Sequence, residues 1–482
     1  MEKSLQNIDY LFSPRSVAII GASNNPDKWG FDIMSRMVWK KTSFTVYPIN
    51  PKEKEIFGLP AYARLTDVPA DIDFSVIVIP PEHIAAAMKD CVAKKIKSVL
   101  IITAGFKETG GAGTELESEV VRIARTGGIR VVGPNCNGHF STSSGLFTTG
   151  REDIKSGPVG IISQSGNFGG YIVRQGTERG VGFSKYVSSG NEADLTIEDY
   201  IEYLAEDEDT KIICAYIEGL KDGRRFFDLA KQVTRKKPII VLKAGRSPEG
   251  ASAAMSHTAS LSGSDEIHDA AFKQTGVIRV DTVDDMVDVA SALIQQPLPQ
   301  NNRVGIVTVG GGFGVVAADA CLKLGLKVPS LSEETIERLN RILPPRWSHA
   351  NPVDMAGTVQ SSYGCIGNIM KTDGIDAVLV ISCIGYVPRL PAGLPAETAE
   401  NLKNYHKMMV EGELKLVEGL FERISRYRKP VIITAVNDRL ESKPIARLAD
   451  LGIYTYRSPE VGAKVISYLV QYGRYLKQRR CS

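Results

Sequence analysis

The residues best suited to group-transfer chemistry lie in one run of ten, residues 255–264, with the sequence MSHTASLSGS. Its histidine, His257, stands among hydroxyl-bearing and small residues, without the periodic apolar pattern of a core element. A neutral imidazole nitrogen is a competent nucleophile toward phosphorus. The run therefore predicts a histidine that accepts a phosphoryl group. A flexible surface loop with an incidental histidine is the alternative.

An acidic residue that could serve this histidine follows a neighbouring strand pattern. Glu218 comes directly after the predicted strand 212–217, and His257 follows the predicted strand 239–242 and two cations. Ligands of open α/β sheets collect at the carboxyl ends of the strands, so both residues can reach one site. There a carboxylate fixes the imidazole tautomer and stabilises its cationic form. A solvated loop glutamate is the alternative.

Three turns rich in glycine, serine and asparagine offer helix N-termini to an anion. They follow the first strand of each predicted α/β set, at residues 21–30, 163–167 and 310–314. Glycine allows close approach, serine or asparagine caps the helix, and the N–H groups of its first turn can face a phosphate. For each turn taken singly, an ordinary connection between strand and helix is the alternative.

The first of these turns is not a dinucleotide fingerprint, because it lacks the G-x-G-x-x-G pattern. The second strand is also not followed by an acidic residue in the place that holds a ribose hydroxyl. Lys52 and Lys54 follow instead, which suits a ligand with an additional phosphate. Both observations count against an NAD-dependent oxidoreductase. For Cys136, after the fifth strand, a packed thiol is favoured over a nucleophile.

Strand-like runs alternate with helix-like segments along the chain, which is typical of parallel sheets covered on both faces. A proline- and amide-rich stretch, residues 295–302, indicates a linker. We predict three consecutive doubly wound α/β domains, residues 1–150, 151–297 and 298–482. The predicted strands are 16–20, 43–49, 74–79, 98–103, 130–132, 159–162, 183–187, 212–217, 239–242, 277–280, 304–309, 377–382 and 431–434.

The composition indicates a globular protein of 482 residues, with 43% hydrophobic and 23% charged residues. A net charge of +3 is too small to indicate a nucleic-acid or membrane partner, and no apolar run approaches the roughly 18 residues of a membrane span. The seven cysteines are scattered and share no metal-ligand spacing with the six histidines. We therefore expect reduced thiols, no metal site and a cytoplasmic protein.

Five motifs follow one another at domain-scale spacing. They are GASNNP at 21–26, GPNCNG at 133–138, SQSG at 163–166, YIEG at 216–219 and SHTASLSG at 256–263. With them the chain resembles the NDP-forming acyl-CoA synthetase superfamily, which includes succinyl-CoA synthetase, and above all the α subunits of ADP-forming acetyl-CoA synthetases. The resemblance covers essentially the whole chain. It implies an N-terminal Rossmann-like CoA-binding domain and two flavodoxin-like ligase domains.

The resemblance also implies a role for each motif. His257 matches the phosphorylated histidine of the family, and Glu218 matches the glutamate that positions it. A helix N-terminus that holds the phosphoryl group is matched by Ser165, Gly166 and Asn167. The residues implied in CoA binding lie at strand ends and are Gly21, Ser23, Asn24, Asn25, Ile102, Thr103, Ala104 and Asn135.

Two departures from the family pattern bear on substrate and partner. Succinate-specific members carry a tyrosine five residues after the serine that Ser165 matches, and Gly170 stands there in this chain. The family also needs an ATP-grasp module, for which we identify no segment and no G-x-x-x-x-G-K-[ST] loop. The resemblance therefore implies a separate ATP-grasp β subunit that binds ATP or ADP and Mg, in an α2β2 assembly.

The predicted function is that of an α subunit of an ADP-forming acyl-CoA synthetase for acetate, another short-chain acid or an aryl acid. Acyl-CoA, phosphate and ADP would give acid, CoA and ATP, and the reverse, through an acyl phosphate and a phosphohistidine at His257. A succinate–CoA ligase α subunit and a non-catalytic CoA-binding protein are the alternatives. The sequence leaves open the acyl group, the physiological direction and the choice between ADP and GDP.

Overall fold

The computed structural model describes residues 7–38, 42–247, 249–250, 264–385, 395–435 and 442–480. The chain forms two compact units, residues 1–287 and 288–482. His257 and the rest of its motif lie outside the described residues. Parallel sheets with intervening helices make up both units, which confirms the predicted α/β class.

The first sheet of the first unit is parallel and covered on both faces. Its strands are β1 (Ser16–Ile20), β2 (Thr45–Ile49), β5 (Phe74–Ile77), β6 (Ser98–Ile101) and β7 (Arg130–Val132). A separate two-stranded hairpin is formed by β3 (Glu55–Ile56) and β4 (Leu59–Pro60). The order in the sheet is β2-β1-β5-β6-β7. Val17 and Ile19 of β1 belong to one apolar core, and Ala18 and Ile20 belong to another. This alternation is what a doubly wound sheet requires. The helices are α1 (Asp9–Phe12), α2 (Trp29–Val38), α3 (Ile84–Ala93) and α4 (Gly111–Thr126).

The second sheet adds an antiparallel hairpin to five parallel strands. Its strands are β8 (His139–Ser141), β9 (Leu146–Phe147), β10 (Ser156–Ser163), β11 (Phe183–Ser188), β12 (Ile212–Ile217), β13 (Ile239–Lys243) and β14 (Ile278–Val280). The order is β14-β13-β12-β10-β11-β8-β9. Carboxyl ends of β11, β10, β12 and β13 therefore lie side by side along one edge. The helices are α5 (Gly166–Glu178), α6 (Ile197–Glu206), α7 (Gly223–Val233), α8 (Asp265–Thr275) and α9 (Val283–Gln295).

The second unit is built around one parallel sheet of its own. Its strands are β15 (Val304–Thr308), β16 (Val353–Asp354), β17 (Ala377–Ile381), β18 (Val431–Thr434) and β19 (Thr455–Tyr456), in the order β16-β15-β17-β18-β19. Val378 and Val380 pack in one core, and Leu379 and Ile381 pack in the other. The helices are α10 (Gly311–Lys323), α11 (Glu333–Asn340), α12 (Ser362–Lys371), α13 (Ala396–Tyr427), α14 (Lys443–Asp450) and α15 (Pro459–Arg480).

The apolar runs predict the long strands well and the short ones poorly. β1, β7, β12 and β18 have the predicted bounds, whereas β16, β19 and the hairpins β3–β4 and β8–β9 are missed. The missed strands have two or three residues, too few for a periodic pattern. β8 and β9 precede residue 150 and yet pair with the second sheet. The domain boundaries at 150 and 297 stay a prediction.

One ion pair occurs at the amino edge of the first sheet and again in the sheet of the second unit. Asp73, just before β5, accepts hydrogen bonds from the backbone N–H of Arg15 at 3.0 Å and from its guanidinium at 3.1 and 3.2 Å. Asp376, just before β17, accepts the same three bonds from Arg303 at 3.1, 2.7 and 3.0 Å. In both sheets the pair ties the chain entering the first strand to the strand beside it.

Replacing Asp376 by alanine should lower the free energy of unfolding by about 2–3 kcal/mol at pH 7, because it removes the acceptor of three hydrogen bonds. Burial acts to raise the pKa of Asp376, but hydrogen bonds from Arg303 and Asn301 hold it below its ordinary value. The stabilisation is therefore present above about pH 4 and lost as the pH falls through the lowered pKa. Urea unfolding at pH 7 and pH 3 measures both effects.

The exposed Asp373 provides the control. Its replacement by alanine should change the free energy of unfolding by no more than about 0.5 kcal/mol. Equal losses in the two variants would contradict a stabilising role for the Arg303–Asp376 pair.

Candidate active site

A cavity of about 1120 Å³ opens in the first unit, where the strands of the first sheet end, and reaches the start of α5. Sites for drug-sized ligands measure about 300–1,000 Å³, so the cavity has room for a larger ligand. The residues that line it include Gly21, Ser23, Asn50, Ile79, Thr103, Asn135, Asn137, Gln164, Ser165 and Asn191.

Charge is distributed unevenly around this cavity. Its charged lining residues lie on the segments that follow β1, β2 and β5, and they are Asp27, Lys28, Lys52, Arg64 and Asp90. Among the lining residues that the structure describes, those from residue 102 onward are uncharged. One part of the cavity thus suits phosphate groups, and the other suits a neutral chain and a reacting carbonyl.

The first turn brings backbone close to the cavity through two glycines. Gly21 has a φ of 99°, which L side chains rarely adopt. A Cβ on Gly30 would lie 1.9 Å from the carbonyl oxygen of Gly21. Ser23 is buried, and its hydroxyl accepts the N–H of Asn25 at 3.0 Å. The turn is therefore compact, and the start of α2 lies against it.

Two asparagines of this turn are already hydrogen-bonded, Asn24 to the segment 53–57 and Asn25 within the turn. Asn24 donates to the carboxylate of Glu53 at 2.6 Å and accepts the N–H of Phe57 at 3.1 Å. Asn25 accepts the N–H of Asp27 at 2.9 Å. In the chain as described, neither asparagine lines the cavity, whereas their neighbours in the motif do. Direct contact of Asn24 and Asn25 with CoA stays a prediction.

The ends of β6 and β7 line the middle of the cavity with polar side chains held by hydrogen bonds. Thr103 donates to the carbonyl of Ile79 at 2.8 Å. Asn135 has a φ of 57° and donates to the side-chain oxygen of Asn191 at 3.2 Å. Asn191 donates in turn to the carboxylate of Glu108 at 2.5 Å. These side chains are oriented before any ligand enters.

The start of α5 forms the other end of the cavity. Ser165 caps the helix, and its hydroxyl accepts the N–H of Phe168 at 3.4 Å. Asn167 accepts a hydrogen bond from the side chain of Asn137 at 3.1 Å. Gly166 lies so close to Asn137 that a Cβ there would be 2.6 Å from that side chain. The first turn of the helix is thus set against the end of β7, where its N–H groups can face an anion.

Glu218 lies just past the end of β12, the strand beside β10, and is 5% exposed. Its backbone N–H donates to the side chain of Gln164 at 2.5 Å, and its carbonyl accepts a bond from Lys243 at 2.8 Å. Its carboxylate meets the hydroxyl of Tyr216, whose pKa is raised to about 12 by burial and by this neighbour. The peptide of Glu218 is therefore held from both adjacent strands.

Two ionisable residues near Glu218 stand out by their burial. Lys243 is 4% exposed, and burial lowers the pKa of its ammonium group. Glu192 is 3% exposed, and burial raises the pKa of its carboxyl to about 7. Glu192 accepts hydrogen bonds from Ser189 at 2.8 Å and from Gln164 at 3.2 Å. Sequence reasoning assigned no role to Gln164, which belongs to the SQSG motif, or to Glu192, which lies four residues past the end of β11.

The structure brings most of the predicted site residues together. Those that line the one cavity are Gly21, Ser23, Ile102, Thr103, Ala104, Asn135, Ser165, Gly166 and Asn167. Glu218 lies at the end of the strand beside β10, and His257 lies outside the described residues. The roles assigned to these residues stay predictions.

The described part of the chain contains no helix with the length and apolar character of a membrane span. It also contains no group of three or more histidine, cysteine, aspartate or glutamate residues that could hold a metal ion.

Comparison with known proteins assigns the chain to a family. Family models match residues 15–141 as a CoA binding domain and residues 156–293 as a succinyl-CoA ligase like flavodoxin domain. The chain is 41% identical over 466 residues to the α subunit of the ADP-forming acetate–CoA ligase II of Pyrococcus furiosus, with 96% of this chain and 97% of the relative covered. The chain belongs to the ADP-forming acyl-CoA synthetases.

Other members of the ADP-forming acyl-CoA synthetases match over nearly the whole chain. The 4-hydroxybutyrate–CoA ligase of Nitrosopumilus maritimus is 35% identical over 474 residues, which are 97% of this chain and 64% of the relative. The solved acetyl-coenzyme A synthetase 1 of Ca. Korarchaeum cryptofilum, in complex with phosphate and ADP, is 33% identical with a TM-score of 0.85 and covers 98% of both chains.

Membership in the ADP-forming acyl-CoA synthetases makes the chain an acid–thiol ligase with CoA as a substrate. The CoA binding domain model spans all five strands of the first sheet, whose ends line the cavity. Fold class and enzyme class are thus confirmed. The NAD-dependent oxidoreductase is ruled out.

Replacing Gly30 by alanine should weaken CoA binding at least tenfold and lower the free energy of unfolding by about 3 kcal/mol, because the added Cβ collides with the Gly21 carbonyl. CoA titration calorimetry and urea unfolding measure the two effects. Gly412, within α13, has no atom near its would-be Cβ, so its alanine variant should bind CoA normally and gain up to about 1 kcal/mol. A Gly30 variant with unchanged affinity would contradict the role of this turn.

The raised pKa of Glu192 predicts a pH-dependent stability. Between its ordinary value of 4.5 and about 7 the folded state binds the proton more tightly than the unfolded state, so stability falls as the pH rises through this window. Glu192→Gln cannot ionise and should therefore gain stability relative to the wild type between pH 5 and pH 8, by at most about 3 kcal/mol. Urea unfolding of both proteins at the two pH values tests this. A constant difference between them would show that Glu192 does not titrate in this range.

Proposed function

We propose that this chain is the α-type component of an ADP-forming acyl-CoA synthetase, and that it carries out acyl transfer and then relays the phosphoryl group through His257. The observation that supports this most is the single cavity that joins the first turn of the CoA binding domain to the capped start of α5. A thioester and a phosphate held at these two ends would lie in the same cavity, which is the arrangement that favours their reaction.

In the first step of the proposed reaction, a phosphate oxygen attacks the thioester carbonyl carbon. The C–S bond breaks, CoA leaves as a thiolate that takes up a proton, and an acyl phosphate remains. Ser165, Gly166 and Asn167 would hold the phosphate, because the N–H groups at a helix N-terminus favour negative charge. The neutral amides around them add no repelling carboxylate.

In the second step, a ring nitrogen of His257 attacks the phosphorus of the acyl phosphate. The P–O bond to the acyl oxygen breaks, the carboxylate leaves, and the phosphoryl group stays on the imidazole. Glu218 would fix the tautomer of the ring and stabilise its positive charge. The buried position of Glu218 and the clamping of its peptide from both neighbouring strands support this role.

The third step passes the phosphoryl group to ADP, and we propose that an ATP-grasp β subunit binds the nucleotide and Mg in an α2β2 assembly. Two observations on relatives support a separate partner. The matching P. furiosus proteins are named α subunits, and this chain covers 97% and 98% of them. The acetate–CoA ligase of Methanocaldococcus jannaschii, whose name mentions no subunit, is longer, since this chain covers 63% of it.

We also propose that the chain has three domains, residues 1–150, 151–297 and 298–482, and that the protein is cytoplasmic. The first and third predicted domains each contain one five-stranded parallel sheet, and the second contains the five parallel strands of the second sheet, whose hairpin β8–β9 lies before residue 150. The two family models end and begin near the first predicted boundary, at residues 141 and 156. Free, buried thiols at the six described cysteines are consistent with a reducing compartment.

The coverage and identity of the matching relatives narrow the choice of acyl group. Succinate–CoA ligase α subunit 2 of Archaeoglobus fulgidus matches 40% of this chain at 29% identity, against 96% at 41% for the P. furiosus acetate ligase subunit. We therefore propose a monocarboxylic acid. Relatives named for acetate, 4-hydroxybutyrate and trans-ferulate define the acids to assay, with succinate as the contrast.

The phosphohistidine relay predicts an acid-labile, base-stable ³²P label on the chain when it is purified with its ATP-grasp partner and incubated with labelled ATP. His257→Ala should carry no label and lose activity about 10³-fold or more, because the nucleophile is gone. His349→Ala, at an exposed histidine of the second unit, should keep both the label and the activity. Wild-type protein that binds CoA but stays unlabelled would favour the non-catalytic CoA-binding alternative.

A further inference from the structure

A row of buried side chains links the carboxyl ends of four adjacent strands in the second sheet. Glu192 follows β11, Gln164 follows β10, Glu218 follows β12, and Lys243 ends β13. All four residues are less than 9% exposed. These strands are neighbours in the sheet, in the order β13-β12-β10-β11. Hydrogen bonds between these side chains and to the backbone of Glu218 therefore link the four strand ends in one line beside the start of α5.

Gln164 is the centre of this line, because its amide makes all the hydrogen bonds available to it. Its oxygen accepts the backbone N–H groups of Glu218 at 2.5 Å and Gly219 at 3.0 Å. Its nitrogen donates to the carbonyl of Gly219 at 2.8 Å and to the carboxylate of Glu192 at 3.2 Å. With two donors and two acceptors all used, the amide has one orientation and fixes two successive peptides.

Glu192 sets that orientation from the other side. Its carboxylate oxygen also accepts the hydroxyl of Ser189 at 2.8 Å. Lys221 donates to the carbonyl of Glu192. The backbone of Glu192 has a φ of 55°. The ionisable groups that face the Glu192 carboxyl are therefore Lys221, Glu198 and Tyr200, besides its two hydrogen-bond donors.

Within the described chain Glu192 is buried and does not line the cavity. Its contact with the site passes through the amide of Gln164 to the peptide of Glu218. A shift of that peptide would move the Glu218 carboxylate away from the imidazole it is proposed to orient, and misplacements of about 1 Å can cost about 10²-fold in rate. The carboxylate of Glu192 is thus placed to affect the reaction without binding a substrate.

We infer that Glu192 and Gln164 are positioning residues for phosphoryl transfer, which hold the peptide of Glu218 and through it the orientation of the phosphorylated histidine. The inference rests on the proposed function, since it assumes that His257 is phosphorylated. It also assigns the ionised state of Glu192 to the positioning role. A carboxylate accepts the hydrogen bond of the Gln164 amide more strongly than a neutral carboxyl group does. Positioning should therefore improve as Glu192 loses its proton.

The test measures the single-turnover rate of ³²P transfer from ATP to the chain, in the complex with its partner, at pH 6, 7 and 8. The variant is Glu192→Gln, which keeps the size of the side chain and removes the charge. The wild-type rate should exceed that of the variant about tenfold at pH 8 and by no more than about threefold at pH 6, because Glu192 has a pKa raised to about 7 by burial. The dissociation constant for CoA should stay within twofold.

Two further variants separate positioning from a general loss of structure. Ser189→Ala removes one hydrogen bond to Glu192 and should show the same pH-dependent change at about threefold. Thr210→Val removes a fully buried hydroxyl at the opposite edge of the same sheet, where it pairs with Ser184 at 2.7 Å. This variant should transfer phosphate within twofold of the wild type at every pH.

Each outcome decides between the proposals. A labelled wild type with Glu192→Gln within twofold of it at all three pH values would overturn the inference alone. A loss in Glu192→Gln that is the same at every pH, or that Thr210→Val shares, would assign Glu192 a structural role and also overturn it. An unlabelled wild type would overturn the proposed function, and the inference with it.

Discussion

Peptide groups just past the end of a buried strand need hydrogen-bond partners, and this need organises the second sheet. Beyond β12 the ladder stops, yet the N–H and carbonyl of Glu218 are buried and cannot rely on water. Gln164 and Lys243 supply the missing partners from the two adjacent strands. The same bonds that satisfy the backbone also hold the residue whose carboxylate we propose to orient the phosphohistidine, so one set of atoms would serve both stability and positioning.

The sequence predicts much of this arrangement because two of its signals are local. Apolar runs identify the longer strands, and small polar residues after them identify the edge where a ligand binds. Most of the predicted site residues line one cavity for this reason, since turns at the carboxyl ends of parallel strands must meet. The order of the motifs along the chain, rather than any one of them, carries the family assignment that the relatives bear out.

What the sequence does not predict depends on pairing across the sheet. Gln164 belongs to a recognised motif, but its four bonds depend on which strands lie beside β10. Glu192 follows a strand that shows no special signal, and its importance comes only from the amide it meets. Asn24 and Asn25 show the opposite case: their types suit a ligand, but Asn24 is hydrogen-bonded to Glu53 and Phe57, and Asn25 to Asp27.

The same arginine–aspartate contact occurs at the amino edges of two sheets at different intervals along the chain. The two residues are separated by 58 positions in the first sheet and by 73 in the sheet of the second unit. Insertions between equivalent strands change the interval while the three hydrogen bonds stay the same. A repeat of fixed length therefore does not relate the two sheets, whereas the contact between the two strand starts has the same geometry in both.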